Sequence, residues 1–280
     1  MLARERHCYK KSRFGPFNLQ CLSAQVSIKM TRKLLGVLLV PFPFLPVYAA
    51  DDEIQVYEDD INAPHELTVD MHLNYVPAAR TSSTPVQIPS LDRFRLTPEF
   101  AYGLTKNLEV GAYLPMLKGA DDAPQVIGAK LRLKYIDADN ARSWYWGLNA
   151  ELEHVSLAVD DHHWGLELRP ILGYRIDRWT VAFNPIVVWS LSDAPASSTP
   201  EFSPSVKVGY YIGQDWRVGL EHYAAFGPLD EALPVREQGQ NTYLALDGKL
   251  WGHNFNFGIG RGWTHESDTW VVKAIINFPL

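Results

Sequence analysis

The final stretch, Trp270-Val271-Val272-Lys273-Ala274-Ile275-Ile276-Asn277-Phe278-Pro279-Leu280, decides the fold. Trp270, Val272, Ala274, Ile276, Phe278 and Leu280 share one parity, and Lys273 and Asn277 share the other. Period-two alternation marks a strand with one apolar and one mixed face. A chain closing on such a strand exposes an edge unless that edge pairs, and a barrel removes it by joining last strand to first. The expected fold is all-β: a closed antiparallel transmembrane β-barrel of the bacterial outer membrane.

Upstream, the same alternation recurs over 66–76, 92–104, 108–114, 126–136, 144–153, 164–174, 179–190, 202–212, 216–223, 241–250 and 254–259. With the last strand this makes about twelve, an even number as bacterial single-chain barrels have. The connections alternate as well. Long ones (77–91, 115–125, 154–163, 191–201, 224–240, 260–269) take turns with short ones (105–107, 137–143, 177–178, 213–215, 252–253). Longer external loops and short periplasmic turns produce this rhythm. All nine tryptophans fall near predicted strand ends, as two aromatic girdles require. Leu67, Val69, Leu131, Leu133, Val206, Val208, Ile276 and Phe278 should therefore be apolar and face outward, and Ile127 shares their parity. The last strand should run antiparallel to 66–76, bringing Lys273 near Asp70 or His72.

A hydrophobic content of 46% and a mean hydropathy of −0.15 would also suit a soluble protein. Barrels share this profile because half of each strand faces a polar interior. The N-terminal region differs in kind. Thr31-Arg32-Lys33, an apolar run Leu34 to Leu45 and Val47-Tyr48-Ala49 read as a signal peptide over 30–49, cut after Ala49. Residues 1–29 read as an upstream extension from an over-extended start, Met30 being itself a plausible first residue. Cys8 and Cys21 both lie there, so the expected mature chain is thiol-free. Of the 26 basic and 32 acidic residues, eight and one lie in 1–49, leaving 18 against 31 and a net charge of −13. Such acidity argues against nucleic acid as a partner. Residues 50–65, with Asp51, Asp52, Glu53, Glu58, Asp59 and Asp60, read as an acidic periplasmic arm; a solvated tail is preferred to a plug. Residues 66–280 form the barrel.

The hairpin Tyr102-Gly103-Leu104-Thr105-Lys106-Asn107-Leu108-Glu109-Val110-Gly111-Ala112-Tyr113-Leu114-Pro115 resembles one in the meta-pathway phenol-degradation family of proteobacterial outer-membrane proteins, which are regarded as transporters. The resemblance implies passage of an aromatic solute and brings no catalytic residues.

Inward parity supplies the lumen candidates: Asp70, Arg93, Arg95, Glu99, Glu109, Lys130, Arg132, Lys134, Glu151, Glu167, Arg169, Lys207, Arg217, Glu221 and Lys273. One reading is a narrow channel whose basic wall favours anionic or polar-aromatic solutes. The other, slightly preferred, is an interior of mutually paired charges, nearly shut. His154-Val155-Ser156 offers a histidine and a hydroxyl near the external rim, but no acid or amide follows at a matching position, so no catalysis is expected. Asp160-Asp161-His162-His163 could meet a metal, yet reads as a solvated loop tip, and no cofactor or metal is expected. The sequence thus predicts a porin-like outer-membrane channel passing or binding a small hydrophilic or aromatic solute. A closed structural barrel comes second and a surface lipid hydrolase third. Its expected partners are outer-membrane lipids, the solute, and barrel-assembly machinery through the C-terminal strand.

Overall fold

A computed structural model describes residues 53–79, 88–139, 141–160, 162–192 and 199–280. The expected extension (1–29), signal peptide (30–49), both cysteines, Asp51, Asp52 and Asp161 lie outside these residues.

Twelve staves close into an antiparallel barrel. They are β1 (Leu67–Ala78), β2 (Phe94–Thr105), β3 (Leu108–Tyr113, then Met116–Lys118), β4 (Gln125–Val126, then Gly128–Asp137), β5 (Trp144–Val155) and β6 (Trp164–Ile176). They continue as β7 (Trp179–Asn184, then Val187–Ser190), β8 (Glu201–Phe202, then Ser205–Tyr211), β9 (Arg217–Ala225, then Gly227–Pro228), β10 (Gly239–Leu250), β11 (His253–Gly262) and β12 (Trp270–Pro279). One 3₁₀ turn, Val235–Glu237, stands in the long β9–β10 connection.

Five staves are interrupted toward the long-loop end, three of them at prolines and β9 just before Gly227, whose φ is 82°. Pro115, Pro185 and Pro204 cannot donate to a ladder, so pairing lapses at each and resumes beyond. Neighbouring breaks face one another: Ile127 N donates to Pro115 O at 2.9 Å and Ser203 N to Ile186 O at 3.0 Å. The irregularity corrects the expectation for Ile127. It is 3% exposed and lines the lumen, because the bulge reverses its parity.

The seam joins β12 to β1, with Val69 opposite Phe278, Asp70 opposite Asn277 and Asn74 opposite Lys273. Leu280 N donates to Leu67 O at 3.0 Å. Asn74, and not His72 or Asp70, is therefore level with Lys273; the true register is offset from the expected one by two residues or more. At the same short-turn end Trp251 and Gly252 both adopt positive φ (52° and 87°), the two-residue turn that matches strand twist.

Outward residues are apolar and open: Leu131 is 61% exposed and Leu244 66%, while the Trp144, Trp164, Trp179 and Trp270 rings stand exposed at strand ends. Val69 departs from this, at 9% exposed, because Phe100 and Phe278 are its register partners on both sides and cover it. The buried residues are instead largely polar, among them Arg93, Glu109, Lys273 and Glu221. Polar groups inside and apolar groups outside are what a barrel in lipid requires.

Candidate functional site: a lumen divided by the N-terminal arm

Large inward side chains need space across the wall, and inward glycines supply it. A Cβ on Gly173 would meet the Tyr145 ring at 1.8 Å, and one on Gly111 would meet Arg132 Nε at 2.7 Å. Gly103 is different, since its would-be neighbours are backbone: the carbonyl oxygens of Ala63 at 2.1 Å and Asn62 at 2.7 Å. The arm runs against the inner wall there. The arm is thus not a solvated tail. Residues 53–62 run inside the barrel, from its long-loop half to its short-turn end.

Several contacts fix it. Asn184 on β7, 0% exposed, acts as a substitute strand partner: it accepts from Tyr57 N at 2.7 Å and donates to Tyr57 O at 3.0 Å. The Tyr57 hydroxyl meets that of Tyr113 at 2.7 Å, and the Arg169 guanidinium covers the ring at 4.3 Å. Arg217 holds Glu58 through both terminal guanidinium nitrogens, Nη1 at 2.7 Å, and Lys207 reaches the same carboxylate at 3.3 Å. Arg175 pairs with Asp59 at 3.0 Å, and Asn62 N donates to Glu109 at 2.7 Å. Arg and Lys rows on an inner wall without this segment would lack several of these partners. Supplying them offsets the desolvation of charges on both sides. Burial raises the Glu53 carboxyl above its usual range, against the pull of Arg169, and raises the Tyr57 phenol well above its own.

All fifteen candidates point inward, and the structure gathers most of them into networks. His72, Glu99, Arg132, Glu109 and Lys134 form one chain, with His72 to Glu99 at 2.9 Å, Arg132 to Glu109 at 2.6 Å and Lys134 to Glu109 at 3.1 Å. Lys207 joins Glu221 (3.2 Å) and Asp247 (2.7 Å), Arg217 joins Asp247 (3.0 Å), and Lys273 pairs with Glu221. Lys130 meets Glu153 at 3.1 Å and Arg169 meets Glu167 at 2.7 Å. Glu151 accepts from Asn149 at 2.6 Å, Asp70 accepts from Asn277 at 2.6 Å, and Arg93 lies 3.8 Å from Asp268. Arg95 lines the cavity at the long-loop end.

Among the described residues a cavity lies on each side of the arm. One of about 270 Å³ opens among the long loops and is floored by Glu53, Ile54 and Gln55. The other, about 620 Å³, opens toward the short turns and is roofed by Gln55, Val56 and Tyr57. The arm stands between them. Among the described residues, seven carboxylates and three Lys or Arg line the first; nine and five line the second. The expected basic wall is therefore corrected: carboxylates outnumber Lys and Arg along both linings, and Glu53, Glu58 and Asp60 of the arm widen the excess. Tyr57, Asn184 and Tyr113 were missed by the sequence reading. The signal was Ile54-Gln55-Val56-Tyr57, an apolar run too buriable for a solvated acidic tail.

At the rim His154 stacks on His163 at 5.7 Å and meets the Trp164 ring edge at 4.7 Å, while Ser156 Oγ accepts from Ala158 N at 3.2 Å. Both side chains of the His-x-Ser segment thus serve local structure. Among the described residues no three His, Cys, Asp or Glu converge as a metal would need.

No family model matches this chain, and no curated protein matches it. Solved structures do. An outer membrane channel from Pseudomonas putida F1 superposes with a TM-score of 0.53 at 13% identity, over 81% of this chain and 100% of that one. The NanC porin gives 0.53 at 7% identity, over 75% and 97%. The KdgM porin gives 0.49 at 10%, over 76% and 99%. At these identities the likeness is one of fold: the chain has the closed twelve-stranded barrel of outer-membrane proteins.

Proposed function

We propose that this protein is an outer-membrane channel for a small solute, with the short turns facing the periplasm and the arm as its constriction. The carrying observation is the lumen itself, a polar bore with a cavity at each end and one segment, residues 53–57, between them. Excess carboxylate along that bore favours cations and neutral molecules over anions. The hairpin resemblance would make the solute aromatic, and the tyrosines near the floor of the first cavity are compatible with that. No residue is assigned a catalytic role.

Planar-bilayer recording of the purified protein under a KCl gradient tests this reading. Small, cation-preferring events are expected, rising in size or frequency when the arm is loosened. Silence from both the intact protein and an arm-loosened variant would favour the second reading, a closed barrel acting through its loops. That reading draws support from the arm and the ion pairs that fill the bore.

A further inference from the structure

Within the long-loop half, the arm seats the apolar side chain of Ile54 against the inner wall. Ile54 packs with Val76, Val271 and Tyr243, each at most 4% exposed, and Tyr223 stands edge-on to Tyr243 at 5.5 Å. Gly260 makes the room, since a Cβ there would fall 2.2 Å from the Tyr243 ring. Lys273 donates to the Ile54 carbonyl at 2.8 Å while paired with Glu221, and its ammonium lies 5.6 Å and 5.7 Å from the Tyr243 and Tyr223 rings. Ile54, Tyr223 and Tyr243 also belong to the wall of the 270 Å³ cavity. A branched apolar group and a carbonyl oxygen thus fill a fitted recess beside open space.

We propose that this recess is a solute-binding subsite which Ile54 occupies in the resting protein. Its external ligand is a small uncharged molecule carrying a branched apolar group and a carbonyl oxygen. The two tyrosine rings, Val76 and Val271 reward an apolar body. Lys273 offers a hydrogen bond, but Glu221 already matches its charge, so an anion gains no new ion pair there. An anion would also enter a cavity where carboxylates outnumber bases seven to three. A structural anchor would need no adjoining cavity. As a tethered competitor, Ile54 lowers the ligand's apparent affinity by the fraction of time the recess stands empty. Ligand capture would in turn free the tip of the arm, and only this last coupling rests on the channel reading.

Calorimetric titration of the purified full chain in detergent micelles, with isobutyramide, isobutyrate and acetamide, tests the proposal. Isobutyramide should bind the Ile54→Gly variant at least tenfold more tightly than the unaltered protein. Isobutyrate, of the same shape but charged, and acetamide, without the branched group, should each bind that variant at least tenfold more weakly than isobutyramide. Equal isobutyramide affinity for variant and unaltered protein would overturn the proposal, as would isobutyrate matching isobutyramide. Heat-modifiable gel mobility checks folding; should Ile54→Gly fail it, Ile54→Ala carries the same comparison with an expected ratio of about threefold. Binding needs no conduction, so the two readings fail separately. Saturable binding by a protein that never conducts would remove the channel reading alone, and conduction without binding would remove the subsite alone.

Discussion

Asn184→Leu is the sharpest perturbation of the arm, because it keeps the wall and removes only its grip. Asn184 is fully buried, and its side-chain amide bonds to both the N–H and the carbonyl of Tyr57. Leucine has similar volume and can make neither. Two buried backbone groups would lose their partners, at about 1–3 kcal/mol each. The docked arm therefore loses about 2–6 kcal/mol, or a factor of about thirty to twenty thousand in its docking equilibrium. The β7 ladder to Ser205 is made by backbone and is untouched. Two assays read the outcome: single-channel recording, where open events should become at least tenfold more frequent, and cleavage after Tyr57 by an aromatic-specific protease, which should accelerate. Heat-modifiable mobility should stay as in the unaltered protein. A variant with unchanged conductance and unchanged cleavage would refute the arm's role as the constriction.

Other perturbations probe the same arrangement from different sides. Gly103→Ala places a methyl 2.1 Å from the Ala63 carbonyl oxygen, so the root of the arm must move; faster cleavage within residues 53–62 is expected, and an unchanged rate would count against that contact. Asp60 is exposed to the short-turn cavity, and its enclosure by the barrel mouth, then Glu58 and Asp59, raise its carboxyl to about 6 against the pull of Lys134 and Arg217. A raised carboxylate pKa means the docked arm holds the proton more tightly, so docking is favoured below about 6 and weakens as pH rises through it. Conductance should accordingly be higher at pH 8 than at pH 5, and Asp60→Asn should flatten that difference; a profile identical to that of the unaltered protein would exclude Asp60 as its origin. Removing residues 270–280 bares the edges of β1 and β11 in lipid, at several kcal/mol for each bare group. Such a chain should yield no heat-modifiable, protease-resistant barrel in the outer membrane, and finding one would contradict the closing role of β12.

The wall was legible because lipid outside and polar groups inside impose a strict two-residue period on every stave. Breaks in the staves blurred it locally: parity at Ile127 reversed across from Pro115, and no local pattern announces a bulge. Register was less legible. Lys273 lies level with Asn74, not His72, because alternation survives any shift of two residues. The inward residues were identified by parity, but their partners were not. Glu99 meets Arg132 and Glu221 meets Lys273 across staves that are distant in sequence. The arm was the larger miss. Its irregular backbone carries no period, and its carboxylates look like solubilising charge until the Arg and Lys that receive them are in place.

A segment held inside a cylinder also bears on how the cylinder forms. The arm bonds to Ala101 on β2, Glu109 and Tyr113 on β3, Arg169 on β6, Asn184 on β7, Lys207 on β8, Arg217 on β9 and Lys273 on β12. The seam it helps to close joins Asp70 to Asn277, residues 207 apart in the chain, a separation that makes closure slow on entropic grounds. A strip that grips staves around most of the circumference gives the curling sheet a mandrel, fixing a common radius before the last edge meets the first. Refolding of an arm-loosened variant should therefore slow at the closing step even where the finished barrel is equally resistant to heat.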